Sequence, residues 1–361
     1  MKQFYDDGAG RLRFNDEYVG PISLPKRVTT CDYMFAKCNV KFGCYLASFD
    51  TSSVRSMDGM FAGARLPAGF GLGVSFDTSK VTDMRGMFNE CCVAGDFVLG
   101  DKFDTTNVTN MEQMFRGFQN VSAKKPFNLG EKFDTSKIRD MNYMFAESWF
   151  ECGLDLGKKF NTANVEHMYG MFRKLYTFTG DLRLGDSFKT TQVCSMERMF
   201  EDLHVDNLCL GDEFDTSNVE DFSYMFADAH INSRLDLGPN FHTEKAISMD
   251  AMFKGATVRK SFNMGGPFKV NKECSVKSMF SMCCLPKDFV FPKKFKPAAD
   301  KISNDTFAFY MVEGANPFQI NGYLATLYNP KHLDMPDAEI EAMLAALEKM
   351  EMPALIPVEE D

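Results

Sequence analysis

The sequence predicts an α/β repeat solenoid, in which similar coils of chain stack into one elongated domain. Two regularities support this prediction. A Met-Phe doublet recurs every 26 to 30 residues, and its Phe stands at ten positions: Phe35, Phe61, Phe88, Phe115, Phe145, Phe172, Phe200, Phe226, Phe253 and Phe280. A glycine lies fifteen residues before that Phe in nine of the ten coils. Because this spacing never changes, we expect the glycine-to-Phe part to be packed and the remainder to hold the adjustable loops.

A short strand is predicted just before each glycine. Two apolar residues flank one variable residue there, and alternation with a period of two predicts a strand with one buried face. Glycine then ends the strand where a tight turn leaves no room for a Cβ atom. The apolar pairs are Phe97/Leu99, Phe127/Leu129, Leu154/Leu156, Leu182/Leu184, Leu208/Leu210, Leu235/Leu237 and Phe262/Met264.

The second half of each coil is predicted to return by a short helical or extended segment. In one clear copy, apolar residues fall at i, i+3, i+6, i+7 and i+10, as in two turns of an amphipathic helix. These residues are Val81, Met84, Met87, Phe88 and Cys91. One strand and one return per coil give a leucine-rich-repeat-like solenoid of short parallel strands.

The residues Phe-Asp-Thr-Ser connect the strand to the return, and their Asp recurs in a column: Asp50, Asp77, Asp104, Asp134 and Asp215. Two interpretations are open. Each carboxylate accepts backbone N–H groups of its own turn, or the column binds a cation. Asn161 and Lys189 occupy the same position in other coils, and they would interrupt a ladder of calcium ions. Turn capping is therefore favoured, and no metal site is predicted.

The solenoid is predicted to occupy 20–310, with ten clear repeats and a decayed eleventh, and to be capped at both ends. Residues 1–19 are predicted to form a hairpin around Asp7-Gly8 that covers the first coil. Residues 311–352 are predicted to form the C-terminal cap, with a helix over 334–350 whose alternative role is partner binding. The final residues, 353–361, are predicted to be a loose acidic tail.

Composition narrows the class of protein. The 361 residues carry a formal net charge of −10, which disfavours nucleic acid and anionic membranes as partners. No run of 18 apolar residues is present, so no membrane insertion is expected. The first residues lack the apolar region of a secretory signal, which favours a cytoplasmic or virion-associated location. Eleven cysteines are an odd number, and those in apolar positions of the repeat are expected to be buried, reduced thiols.

The repeat Phe-Asp-Thr-Ser-x-Val-x-x-Met-x-x-Met-Phe, clearest at 76–88, resembles the BspA-type leucine-rich-repeat family. That family is known from mycoplasmal and other bacterial surface proteins, and such repeats also occur in viruses and phages. The likeness covers 20–280. It implies a curved parallel sheet backed by short helices or a second strand. It also implies adhesion or other protein binding rather than catalysis.

Motifs for catalysis and for cofactor binding are missing from the sequence. The five His are scattered over different positions of the repeat, and neither His-Glu-x-x-His nor Cys-x-x-Cys occurs. The glycine-rich stretch 69–73 coincides with a predicted strand of the solenoid rather than with a phosphate-binding loop. We therefore predict that the protein is not an enzyme and holds no cofactor. A catalytic site assembled across several coils is the less favoured alternative.

The candidate binding residues vary between copies while the frame of the repeat stays fixed. Most belong to the outward strand position or follow the glycine, and the single Trp is added because Trp is a favoured interface anchor. They are Asp155, Lys158, Lys159, Arg183, Asp236, Asn128 and Trp149. An ordinary solvated face is the alternative interpretation of this patch.

The sequence as a whole predicts a non-enzymatic scaffold that binds another protein through its strand face and its adjustable loops. A bacterial cell-surface adhesin of the BspA type is the alternative function. The two functions differ in location, since an adhesin acts outside the cell.

Overall fold

The structure is a computed structural model that describes residues 2–266, 268–286, 289, 295, 297–303, 305–306 and 309–311. The predicted C-terminal helix at 334–350 and the acidic tail at 353–361 lie outside these residues. Within them, the strands in chain order are β1 (Phe4–Asp6), β2 (Leu12–Phe14), β3 (Pro21–Ser23), β4 (Tyr45–Ser48), β5 (Arg65–Leu66), β6 (Cys92–Ala94), β7 (Gln119–Val121), β8 (Phe127–Asn128), β9 (Trp149–Phe150), β10 (Leu154–Asp155), β11 (Tyr176–Thr177), β12 (Leu182–Arg183), β13 (His204–Cys209), β14 (His230–Asp236), β15 (Thr257–Val258), β16 (Ser261–Asn263), β17 (Cys284–Leu285) and β18 (Tyr310–Met311).

Parallel pairing between successive coils builds a β-solenoid. One path of paired strands, called here the first sheet, runs through β5, β6, β7, β9, β11, β13, β14, β15, β17 and β18. A second run, called the second sheet, contains β8, β10, β12, the C-terminal parts of β13 and β14, and β16. The predicted repeat solenoid of short parallel strands is therefore confirmed.

The two sheets adjoin along the molecule. Strands β13 and β14 each run from the first sheet into the second, and their pairing shifts register between Val205 and Asn207. In the preceding coil a short bend separates β11 from β12. The outer surfaces of the two sheets together form the strand face.

The returns are not helical, so the expectation of short helices is wrong. Among the described residues the only helical segment is a 3-10 turn at Ala299–Lys301. Each return is instead a chain of tight turns with two left-handed residues per coil, such as Tyr33 (φ 54°) and Lys37 (φ 59°). The other predicted form is an extended segment, and a chain of tight turns differs from that as well.

Hydrogen bonding explains why the returns avoid the α-helix. In the first coil, the N–H of Met34 donates to the carbonyl of Cys31 (3.1 Å) and closes a β-turn. The next amide, that of Phe35, donates to the carbonyl of Met60 in the following coil (2.8 Å). Alternate amides thus tie neighbouring coils together, whereas the amides of an α-helix bond within the helix.

Two columns of Phe rings form the core of the solenoid. The doublet rings stack from Phe35 to Phe280 with centroids 5.0 to 5.6 Å apart. The rings of the Phe-Asp-Thr-Ser turns stack from Phe49 to Phe268 at 6.0 to 6.5 Å. The doublet Met side chains are fully buried as well. Coils are therefore held to their neighbours by continuous apolar burial.

Side-chain hydrogen bonds hold the turns between strand and return. The carboxylate of each Asp in the column, or the amide oxygen of the Asn that replaces it, accepts the N–H of the residue two positions later: Asp50, Asp77, Asp104, Asp134, Asn161 and Asp215. Thr51 is fully buried, and its Oγ1 donates to the carbonyl of Asp77 (2.8 Å). The predicted turn capping is confirmed.

The cysteines are free thiols, and several fill apolar positions of the core. Burial raises the pKa of Cys31 to about 12 and that of Cys38 to about 11.

At the N-terminus, β1 and β2 pair as an antiparallel hairpin. The ring of Phe14 from this hairpin lies 4.9 Å from that of Phe35, so the hairpin covers the start of the ring column.

Candidate binding surface

Four ring-bearing residues line up on the outer surface of the first sheet. They hold equivalent positions in four successive coils and are called here the aromatic row: Trp149, Tyr176, His204 and His230. Trp149 and Tyr176 have centroids 4.3 Å apart, and Tyr176 lies 5.2 Å from His204. His204 and His230 are 4.5 Å apart. Each ring of the row therefore touches the next.

Strand alternation places the aromatic row on the surface. The residue that follows each member points inward and is buried: Phe150, Thr177, Val205 and Ile231. Trp149 and Tyr176 stack at 23°, so each covers one face of the other. The other two contacts in the row are edge-to-face, with interplanar angles of 86° and 61°. The indole N–H of Trp149 is buried and has no acceptor among the described residues.

Polar residues flank the aromatic row on both sides. Two residues before it, the coils carry Glu147, Lys174, Asp202 and Asp228. Two residues after it, they carry Glu151, Phe178, Asp206 and Asn232. Five of these eight flanking residues are acidic and one is basic, so the surroundings of the row are electronegative. The apolar exception, Phe178, is 60% exposed.

Four of these five carboxylates form no ion pair with a Lys or Arg of the described chain. Asp206 instead accepts the N–H of Gly180 (2.9 Å) and Glu151 that of Ser122 (3.4 Å), which leaves Asp202 and Asp228. Glu147 pairs with Arg116 at 3.1 Å. In contrast, neither Asp202 nor Asp228 forms an ion pair with a Lys or Arg of the described chain; the closest charged partner of Asp202 is His204, at 3.7 Å. Their coils are neighbours in the stack. The pair therefore places two carboxylates without an ion pair to Lys or Arg beside the row.

Burial and neighbouring charges shift two pKa values at this site. Burial lowers the pKa of His204, the imidazole of His230 lowers it further, and Asp202 acts in the opposite direction. Burial raises the pKa of Asp228, and the Asp202 carboxylate raises it further. Both shifts disfavour the charged form of the group concerned.

Four of the residues predicted to bind occupy one outward row of the second sheet. Asn128 pairs with Asp155, Asp155 with Arg183, and Asp236 lies in the same row two coils further on. The side-chain oxygens of Asn128, Asp155 and Asp236 accept the N–H of the glycine two residues later, at 2.7, 2.9 and 3.1 Å. These oxygens thus stabilise the turn that ends their own strand.

The remaining predicted residues are more loosely held. The guanidinium of Arg183 lies 3.6 Å from the Asp181 carboxylate. Lys158 and Lys159 are exposed in the turn that follows β10. Trp149 is separate from all of these, because it lies on the first sheet. Six of the seven predicted residues therefore lie on or beside the second sheet.

Both rows belong to the one strand face. His204 and the outward Cys209 are five residues apart on β13, which corresponds to about 16 Å at roughly 3.3 Å per residue. A partner that lies across the strands can therefore contact the aromatic row and the outward row of the second sheet together.

Sequence reasoning missed Tyr176, His204 and His230. The signal that identifies them is a column, the fourth residue after each doublet Phe: Asn39, Arg65, Cys92, Gln119, Trp149, Tyr176, His204, His230, Thr257 and Cys284. The interpretation of the five His as scattered is wrong for two of them, since His204 and His230 share this position. Comparing the repeats position by position would have found the row.

A groove of about 580 Å³ marks a second surface, between the fourth and fifth coils. It is lined by 96–101 and 125–132, where the chain makes its longest excursion between a doublet Phe and the next glycine. Residues 97–99 form no strand, so β8 pairs only with β10 in the described structure. Val98, on the groove wall, is 71% exposed.

Metal-binding clusters and membrane-spanning helices are both absent from the described residues. These residues contain no group of three or more His, Cys, Asp or Glu arranged to hold a metal ion. They also contain no helix with the length and apolar character required to cross a bilayer.

Among known protein families, one family model matches the chain. A family model described as "Mycoplasma protein of unknown function, DUF285" matches four overlapping segments, 21–126, 72–148, 94–209 and 186–290. Comparison with curated proteins and with solved structures gives no significant match. The matched segments together run from 21 to 290 and contain the repeats described above. The chain therefore belongs to this family of mycoplasma proteins, DUF285.

Proposed function

We propose that this protein is a non-enzymatic scaffold that binds another protein through the strand face, with the aromatic row as its main contact. The observation that carries the proposal is the row itself, four touching rings on the outside of a sheet. Aromatic side chains bury large areas at little entropic cost, and they dominate the binding energy of protein interfaces.

The orientation of the rings favours a protein over other partners. Bases of single-stranded nucleic acids stack on ring faces, and the net charge of −10 repels their phosphates. In the aromatic row, Trp149 and Tyr176 each cover one face of the other, and the remaining contacts are edge-to-face. Ring edges remain available to the apolar side chains of a partner. No cofactor, metal or membrane insertion is part of this proposal.

The finer family likeness bears on where the scaffold acts. The repeat resembles the BspA type, and a cell-surface adhesin of that type is the second candidate function. Buried thiols such as Cys31 and Cys91, with pKa values raised by burial, are compatible with a reducing compartment. We therefore propose a cytoplasmic or virion-associated scaffold. Protease treatment of intact host cells separates the two, since removal of the protein by the protease would favour the adhesin.

Selection from a random peptide library displayed on phage, with the purified full chain as bait, tests the proposed function. Affinities of the selected peptides are then measured by fluorescence polarisation. We expect Tyr176→Ser to weaken binding by about thirtyfold, as for an interface hot spot of 2 kcal/mol. Tyr45→Ser is the matched control, because Tyr45 is 53% exposed and lies on β4, away from the row. Equal affinities for the two variants, or no selected binders, would overturn the proposal.

A further inference from the structure

The flanks of the aromatic row indicate the chemistry of the partner. We infer that the strand face binds a peptide segment that is both basic and apolar, with a Lys or Arg side chain held between Asp202 and Asp228 and apolar side chains on the ring edges. This inference rests on the proposed function and adds the class of partner to it.

The first observation is the pairing of like charges. Asp202 and Asp228 occupy the same position in adjacent coils, and the N–H of Asp202 donates to the carbonyl of Ala227, the neighbour of Asp228 (2.7 Å). Like charges in directly opposite positions of paired coils destabilise the fold. A cation bound between the two carboxylates would relieve this repulsion, and within the described chain no Lys or Arg forms an ion pair with either one.

A contrast with the same position in other coils supports this role. Glu147 is neutralised by Arg116 of the preceding coil, at 3.1 Å, and the adjacent coil carries Lys174. The position is thus charge-balanced at one end of the aromatic row. At the other end, beside His204 and His230, neither Asp202 nor Asp228 forms an ion pair with a Lys or Arg of the described residues, and Lys254 acts on Asp228 only from a longer distance.

The second observation is an exposed apolar side chain on the opposite flank of the aromatic row. Phe178 lies two residues beyond Tyr176 on the same strand face and is 60% exposed. Glu151 and Asp206 hold the equivalent position in the two neighbouring coils, so a guanidinium or ammonium group there can pair with a carboxylate or lie over the ring. Ring edges and Phe178 therefore contribute apolar contact, and the two Asp contribute charge complementarity.

The test uses three synthetic peptides of equal length, labelled with fluorescein, in which Leu alternates with Lys, with Ser or with Glu. Fluorescence polarisation is measured against the full chain at physiological ionic strength. We expect the Leu-Lys peptide to bind most tightly. The double variant Asp202→Asn/Asp228→Asn is expected to weaken its binding by about fivefold to tenfold, the size expected for two exposed ion pairs.

Matched controls separate site binding from general attraction to an acidic protein. Asp186→Asn/Asp212→Asn removes the same charge from two exposed Asp that follow strand-ending glycines, and it is expected to leave affinity unchanged within twofold. Asn suits the left-handed backbone at Asp202 (φ 56°) and Asp228 (φ 55°), so the test variant is expected to fold. Circular dichroism melts verify this for every variant.

The outcomes distinguish this inference from the proposed function. Equal loss in the test and control variants, tighter binding of the Leu-Glu or Leu-Ser peptide, or no binding of the Leu-Lys peptide would each overturn the basic partner. If library-selected peptides still depend on Tyr176 in any of those cases, the proposed function stands without it. If they do not, both fail.

Discussion

The aromatic row and the outward row of the second sheet lie on the same strand face and use their side chains in opposite ways. Asn128, Asp155 and Asp236 turn their oxygens back onto the glycine N–H groups of their own strands. Trp149 and Tyr176 instead contact each other across coils. Variation between copies therefore does not by itself mark a binding residue, because a variable side chain can serve its own turn.

The largest effect is expected in the core that both rows share. Phe115 is fully buried between Phe88 and Phe145, and Phe115→Ala is expected to lower the free energy of unfolding by about 3–5 kcal/mol. Phe178→Ala is the matched control and is expected to stay within about 0.5 kcal/mol, since that ring is exposed. Urea unfolding measures both. Similar losses in the two variants would contradict the division between core and surface.

The comparison also shows how much the sequence could predict. The buried columns and the turn capping follow from fixed positions within one repeat, so residues such as Phe115 and Asp77 were placed correctly. The helical returns were wrong because a chain of β-turns also places apolar residues at i and i+3. In such a chain the distinguishing feature, an amide of one coil bonded to the next coil, leaves no local pattern in the sequence.

The aromatic row was missed for a related reason. Its members are neighbours across coils, and 26 to 28 residues separate them along the chain. Trp149 was singled out as the only Trp, without the Tyr176 and His204 that give it a context. Charge pairing across coils, as between Arg116 and Glu147, is equally invisible until the repeats are aligned position by position.

The second prediction concerns the outward row of the second sheet. Asp155→Ala removes the acceptor of a hydrogen bond to the glycine N–H at 2.9 Å and is expected to destabilise the fold by about 1 kcal/mol. Asp186→Ala, at an exposed position after a strand-ending glycine, is the control and is expected to be neutral. Thermal melts give the difference. A neutral Asp155→Ala combined with weaker binding of selected peptides would reverse the roles assigned to the two rows.

A third prediction concerns how the thermal stability of the protein depends on pH through His204, a member of the aromatic row. The folded state lowers the pKa of His204, so below about pH 6.5 the unfolded chain takes up a proton that the folded chain resists. The contribution of His204 is therefore present at neutral pH and is lost as pH falls through this interval. We expect Tm to decrease as pH falls through this interval. His204→Phe keeps a ring in the row and is expected to remove this component from Tm measured against pH.

The smallest effect is expected at Asp228, whose shift has the opposite sign. Its pKa is raised in the folded state, so the folded chain binds the proton more tightly, and protonation as pH falls through the raised value stabilises the fold. Asp228→Asn removes the like-charge contact with Asp202 and is expected to stabilise the protein at neutral pH by roughly 0.2–0.5 kcal/mol.

Asp215→Asn provides the contrast to Asp228→Asn. The Asp215 carboxylate accepts the N–H of Ser217 at 2.8 Å, and Asn keeps an acceptor there, so no stabilisation is expected. Urea unfolding at neutral pH compares the two variants. A loss of stability in Asp228→Asn would mean that this carboxylate stabilises the folded state, as that of Asp155 does. It would then no longer support the inference that Asp202 and Asp228 bind a cationic side chain of a partner.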